Sequence, residues 1–359
     1  MKTMNSIIVS PGIPLGDIRD AGRVIAPHHL STQTHVVVIA NPSAMTNTRG
    51  QKNVRVEQPE INQKKKRKKK PFPRFFVGML MLCLLFVSAF AQTDPAIRQF
   101  KNITDAFPYK NEATWLDLSR QNIVSLPDSL FELTALQYLD LSHNKLESIP
   151  PKIGQLKKLK YLVLSYNQLK GLPAELKKLH LVQTLYLDHN PGINVSQAIP
   201  IVASLPSLKV LSLAGDNISV VPREITRIKS LEKLELSENN FEKLPDEMPR
   251  LKNLRVLYIN NDAYFNLESN IRMISRIKNL NEVHFEHNDI TYIPPNITDL
   301  SQVQYIFLVG NKIHDVPDNV KSLPNLRLLD LSDNPIPPPL REENRVLDPK
   351  VVIRLGTKN

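Results

Sequence analysis

Side chains able to do chemistry are sparse, and one group of them is clustered: Glu282, His284, Glu286 and His287. Carboxylates and imidazoles are metal-ligand types, and alternation along an extended segment would put Glu282, His284 and Glu286 on one face. No further ligands recur at a fixed metal spacing, so the group reads as an exposed polar stripe, with a weak metal site as its alternative. His143 and His189 read as surface residues. The single cysteine, Cys83, lies in an apolar run, so the chain after residue 91 has neither a thiol nucleophile nor a disulfide framework. That stretch also contains no G-x-S-x-G, no H-E-x-x-H and no glycine-rich phosphate loop. These residues point away from an enzyme and toward a binding protein with no cofactor and no metal.

What would position any such residue is a repeat. From Leu136 the chain reads LQYLDLSHNKLESIPPKIGQLKKL, and the pattern recurs to Asn334. One polar slot marks its phase: Gln121, Asn144, Asn167, Asn190, Asp216, Asn239, Asp262, Asn288, Asn311 and Asn334, ten in all, separated by 23 residues except for two steps of 26. A constant period in the twenties signals a solenoid, in which each unit is too small to bury its own apolar face and stacking completes the core. In Tyr138-Leu139-Asp140-Leu141-Ser142 apolar residues alternate with others, the period of a strand with one buried face. Ten such strands predict a parallel sheet.

A buried amide can donate and accept at once. Asn144, Asn167, Asn190, Asn239, Asn288, Asn311 and Asn334 are therefore expected to form a structural ladder closing the turn after each strand. Asp216 and Asp262 are poorer copies, where local irregularity is expected; with Asn217 and Asn261 adjacent, a one-residue shift of register stays open. Leu-Pro or an equivalent pair then starts the return path, as at Leu126-Pro127 and Leu172-Pro173, favouring an extended link or a first helical turn. The two longer units should carry the better outer helices, over Gln197 to Leu208 and Glu268 to Leu280.

This consensus, with its Leu-Pro and Ile/Leu slots, resembles the leucine-rich repeats of the scribble and erbin class over residues 113–340. The resemblance implies an α/β leucine-rich-repeat solenoid of ten repeats, with a curved parallel β-sheet on the concave side and short helices or turns on the convex side. A protein exported with such repeats and without disulfides is more similar to bacterial than to animal examples.

Strand positions outside the core form two columns on the open face. The first contains Trp115, Tyr138, Tyr161 and Tyr305; the second contains Tyr186, Tyr258 and Phe307. Neighbouring strands lie about 4.8 Å apart, so Trp115, Tyr138 and Tyr161 should form a continuous strip that Tyr186 extends diagonally. Such a strip either stabilises the sheet by cross-strand stacking or anchors a protein or peptide ligand. The second smaller candidate is Tyr305 with Phe307.

The flanks are of a different kind. Residues 1–63 lack apolar periodicity and read as disordered, or as an extension from a start assigned too far upstream. Residues 64–91 combine the basic run Lys64 to Lys70, the 17-residue apolar run Phe75 to Ala91 and a terminal Ala89-Phe90-Ala91. That is the layout of a signal peptide, or of a signal anchor at the short limit for spanning a bilayer. Of 46 Lys plus Arg, 14 fall in residues 1–91, as do 4 of 35 Asp plus Glu; the remaining 32 and 31 nearly cancel. The basic isoelectric point therefore belongs to the leader, and no nucleic-acid partner is expected. Residues 92–112 and 341–359 read as caps on the two ends of the core. The expectation is an exported protein, secreted or in the cell envelope, touching membrane only through residues 75–91 if the leader is uncleaved. The alternatives are a single-pass protein with a cytoplasmic N-terminus and an intracellular scaffold.

Overall fold

The computed structural model describes residues 98–337 and 351–355. The readings for residues 1–63 and 64–91, and much of the C-terminal cap, lie outside the described residues. Among the described residues no helix is long and apolar enough to cross a membrane.

Twelve short strands form one parallel sheet in sequence order: β1 (Gln99–Phe100), β2 (Trp115–Asp117), β3 (Tyr138–Asp140), β4 (Tyr161–Val163), β5 (Thr184–Tyr186), β6 (Val210–Ser212), β7 (Lys233–Glu235), β8 (Val256–Tyr258), β9 (Glu282–His284), β10 (Tyr305–Phe307), β11 (Leu328–Asp330) and β12 (Val352–Arg354). Strands β2 to β11 are the ten strands of the repeat. The central residue of each points inward: Leu116, Leu139, Leu162, Leu185, Leu211, Leu234, Leu257, Val283, Ile306 and Leu329 are all essentially buried. The next apolar residues along, such as Leu118, Leu141 and Leu164, join them in one continuous core. A consecutive parallel order means that every connection climbs by one coil, which is how units unable to fold alone share a single interior.

Register follows the period. Tyr138 pairs with Tyr161, and Thr184 pairs with Val210 although 26 residues separate them. The three additional residues are absorbed on the outer side. There α1 (Ile103–Ala106) belongs to the N-terminal end, while α2 (Val195–Val202) and α3 (Leu267–Ile274) occupy the two longer units as expected. Asn102, Asn194 and Asn266 cap these helices, each accepting a backbone N–H three residues on. The 23-residue units make only 3-10 turns, for example Asp128–Glu132 and Ala174–Lys178. Pro127 precedes the first in an extended conformation, φ −73° and ψ 152°, and its carbonyl accepts from Leu130 N at 3.1 Å. Proline thus ends the extended link and starts the turn without needing the donor it lacks.

At the ends β1 and β12 extend the sheet. Phe100 and Ala106 close over the first coil, and Leu331 N donates to Arg354 O at 2.7 Å across the last pair.

Each of the strands β2 to β11 leaves through a left-handed residue. Arg120, His143, Tyr166, His189, Glu238, Asn261, His287 and Asp333 have φ between 54° and 59°, and Gly215 and Gly310 have φ 67°. This turn swings the next residue, the Asn slot, into the interior. Left-handed φ disfavours side chains by roughly 1–2 kcal/mol, and bonds made by the inward amide offset it. Asn144 is typical: Nδ2 donates to Leu118 O and Leu141 O at 2.9 Å, while Oδ1 accepts from Ile123 N at 2.9 Å. Asn167, Asn239, Asn311 and Asn334 repeat the pattern, bridging two coils each time. Asn190 does so through Leu164 O and Leu187 O, and Asn288 through Ile259 O.

The register left open at the two aspartates is now fixed. Asp216 and Asp262 are buried in the slot, whereas Asn217 and Asn261 face out. Asp216 Oδ1 accepts from Asn190 N at 2.7 Å, but Oδ2 is buried with no hydrogen-bond partner. Burial raises its pKa to about 8, and the charge of Asp188 adds to the rise. Asp262 adapts better, accepting from Phe241 N and Tyr264 N; burial raises its pKa to about 6. At Gln121 the longer side chain turns outward and donates to Lys101 O.

Candidate functional site

The open face of the sheet carries two aromatic stacks in place by register alone. On β2 to β4, Trp115 lies flat against Tyr138, with centroids 3.6 Å apart and planes 8° apart; Tyr161 follows at 6.3 Å and 41°. Tyr138 is covered on both sides and only 8% exposed, so it fills the strip while Trp115 and Tyr161 present more surface. Its hydroxyl donates to Asp140 Oδ2 at 3.2 Å; burial, then the charge of Asp140, raises its pKa and keeps it a donor. Tyr186 lies in the second column between Val163 and Ser212, its phenol also raised by burial and by Asp188.

The second stack spans β8 to β10. The His284 ring is sandwiched between Tyr258 at 4.1 Å and Phe307 at 4.2 Å, within 15° and 6° of parallel. Lys233 Nζ sits 4.4 Å above the outer side of Tyr258. Tyr305 occupies the other column of β10, beside Glu282 on β9. Alternation along the strands already puts His284 in the second column between Tyr258 and Phe307; what it does not give is that the three rings stack face to face.

The same histidine organises the polar stripe. His284 Nε2 is 2.9 Å from Glu282 Oε1, and Nδ1 is 3.1 Å from Glu286 Oε1. Burial opposes charge on the ring, but the hydrogen bonds to Glu282 and Glu286 outweigh it and raise the pKa above that of an ordinary histidine. With a carboxylate oxygen at each ring nitrogen, the contacts favour the protonated ring, and both nitrogens are already engaged. Glu282, His284 and Glu286 do come together, whereas His287 turns away over Gly310. Among the described residues no group of three or more His, Cys, Asp or Glu is placed to hold a metal ion.

Between the stacks the face is polar. Asp188 accepts from Ser165 Oγ at 2.7 Å and from Ser212 Oγ, and burial raises the pKa of both Asp188 and Glu235. Along the rim runs a third stack that the sequence reading missed: His143, Tyr166 and His189, with centroids 4.2 and 4.1 Å apart. All three occupy the left-handed position before the Asn slot, one repeat apart. Their recurrence at that phase was the available signal. Tyr166 is 46% exposed, and His189 reaches Glu238 across Gly215 at 3.8 Å. Alanine at Gly215 would collide with the His189 ring, so glycine there answers both to φ and to space.

A family model described as leucine rich repeat matches residues 111–153, 152–191, 204–263 and 274–336. No curated protein matches the sequence significantly. Among solved structures, a plant peptide hormone receptor, RGFR1 in complex with RGF2, is similar at 21% identity with a TM-score of 0.48; the match covers 70% of this chain and 45% of the receptor chain. An internalin of Listeria monocytogenes, inlF, is similar at 19% identity and a TM-score of 0.48, with 73% and 86% covered. A leucine-rich-repeat protein of Leptospira interrogans gives 22% identity and a TM-score of 0.34, with 72% of this chain and 100% of that one covered. The chain thus spans less than half the length of the plant receptor chain it matches.

Proposed function

Since the chain belongs to the leucine-rich-repeat family, we propose that it is a non-enzymatic recognition module that takes a protein or peptide along the concave face of its sheet. The observation that carries this reading is the Trp115–Tyr138–Tyr161 stack, held on three consecutive strands with Trp115 flat on Tyr138. Large flat side chains already ordered by stacking lose little freedom when a ligand covers them, and such residues dominate binding energy at interfaces. Tyr186 continues the surface. Tyr258, Tyr305 and Phe307 offer a second contact, with the His284 ring between two of them. The role of Asn144, Asn167, Asn190, Asn239, Asn288, Asn311 and Asn334, with Asp216 and Asp262, is to hold the strands in register beneath that face.

The leader supports export: a basic run, an apolar run and a small-x-small ending in residues 64–91 place the repeats across a membrane, by cleavage or as an anchored domain. Residues 92–112 and 341–359 read as caps of the repeat.

The test is photo-crosslinking in the native surroundings, with a photoreactive residue at Tyr161 or Tyr305 and, as controls, at the outward Lys252 or Lys278. The sheet positions are expected to give discrete protein or peptide adducts and the outer positions none. Adducts from the outer positions alone would refute the reading.

A further inference from the structure

The second and third coils carry a charge the rest of the repeat does not. Residues 145–178 contain eight lysines, two glutamates and no arginine, within a body where the two signs nearly cancel. Lys152 is paired with Asp128 and Lys170 with Glu147. Among the described residues Lys157, Lys158, Lys177 and Lys178 form no ion pair, and all four are exposed. The 3-10 turns Pro151–Gln155 and Ala174–Lys178 approach closely because residue 154 is glycine; a Cβ there would lie 2.9 Å from Glu175 O and 3.1 Å from Lys178 Cδ. That approach brings the turn just before Lys157 and Lys158 against the turn that carries Lys177 and Lys178, with Leu181, 47% exposed, a few residues on.

We propose that this patch docks the repeat onto an anionic lipid bilayer. Lysine is a flexible, hydrated point charge, suited to a diffuse field of headgroups; recognition of one phosphate or carboxylate favours the planar fork of arginine, which is missing here. Binding of single-stranded nucleic acid would call for aromatic platforms among the charges. The tyrosines of these coils, Tyr161 and Tyr166, lie on the sheet face and its rim. An exposed leucine among lysines suits the headgroup boundary. The same chain carries an apolar run at residues 75–91, which brings the N-terminal coils near a bilayer wherever that run is inserted.

Lys64 to Lys70 would also bind anionic vesicles, so the test reads individual residues in the intact chain. Acetylation of each lysine is measured by mass spectrometry with phosphatidylcholine vesicles, with and without phosphatidylglycerol. Each lysine close to an anionic leaflet gains roughly fivefold in partitioning. With phosphatidylglycerol, labelling of Lys157, Lys158, Lys177 and Lys178 is expected to fall about fivefold relative to Lys252 and Lys278, and to recover in high salt. Uniform labelling, protection by phosphatidylcholine alone, or protection by duplex DNA without any by vesicles would overturn the proposal. Lys152, in the same outer turn, is expected to share the protection, and combining Lys157→Glu, Lys158→Glu, Lys177→Glu and Lys178→Glu should abolish it there; if it persists in the folded variant, the patch is not the contact. Should that variant fail to fold, the labelling pattern of the unaltered chain decides.

Discussion

Replacing Asp216 with Asn is expected to stabilise the protein, and most strongly at alkaline pH. In every complete rung the amide Nδ2 donates to a carbonyl of its own coil and to one of the coil before. At position 216 those acceptors would be Leu187 O and Leu213 O, and an ionised carboxylate can donate to neither. Its Oδ2 is buried and unpartnered, and burial raises the pKa to about 8. The unfolded chain releases that proton near the ordinary aspartate value of about 3.9, whereas the folded chain holds it. Stability is therefore unimpaired below about pH 4, falls as pH rises toward 8, and is lowest above it. Asp216→Asn should remove this slope and gain about 1–3 kcal/mol at neutral pH and above, the usual cost of a buried unpaired polar group. Urea melts at several pH values measure it; equal slopes in the two proteins would rule out Asp216 as their source. Asp262→Asn should gain less, since both of its oxygens already accept backbone N–H groups.

The converse change, Asn167→Asp, should reproduce at a regular rung the defect that Asp216 has naturally. Asn167 Nδ2 donates to Leu141 O at 2.9 Å and Leu164 O at 3.0 Å, and Oδ1 accepts from Leu146 N at 3.0 Å. Asp keeps the shape and the acceptor but loses both donations, leaving two buried carbonyls facing a carboxylate. A loss of about 2–4 kcal/mol at pH 7, shrinking as the solution is acidified, follows from two such unpaired groups. Because each coil contacts only its neighbours, the damage should spread from that coil. Faster amide hydrogen exchange at Leu146 and Leu169 than at Ile313 and Leu331 is the expected signature. A pH-independent loss would mean that the rung acts through packing rather than donation.

The two aspartates also mark how far the sequence could be read. The strands, their buried leucines and the two outer helices follow from a period that survives the 26-residue steps. So do the stacks, because residues one period apart, such as Trp115 and Tyr138, must pair. The left-handed column was legible only in part: Gly215, Gly310, Asn261, Asp333, His143, His189 and His287 are types that favour positive φ, but Arg120, Tyr166 and Glu238 carry no such preference and interrupt the pattern. Nor does alternation say how deep a side chain sits. Tyr138 and His284 were placed on the open face correctly, yet both are buried there by the rings on either side. Burial of this kind depends on neighbours a full repeat away. The choice between Asp216 and Asn217 was equally hidden, since either could continue the count from Leu211 and Leu213.

The reading of the sheet as a recognition surface is tested most directly by affinity. With the ligand identified by crosslinking, its dissociation constant is compared between the intact chain and one carrying Trp115→Ala, Tyr161→Ala and Tyr186→Ala, with Tyr138 kept to hold the strip together. Hot-spot aromatics cost about 2 kcal/mol or more each, so weakening of at least a hundredfold is expected with the melting transition preserved. An unchanged dissociation constant in the folded variant would contradict the account.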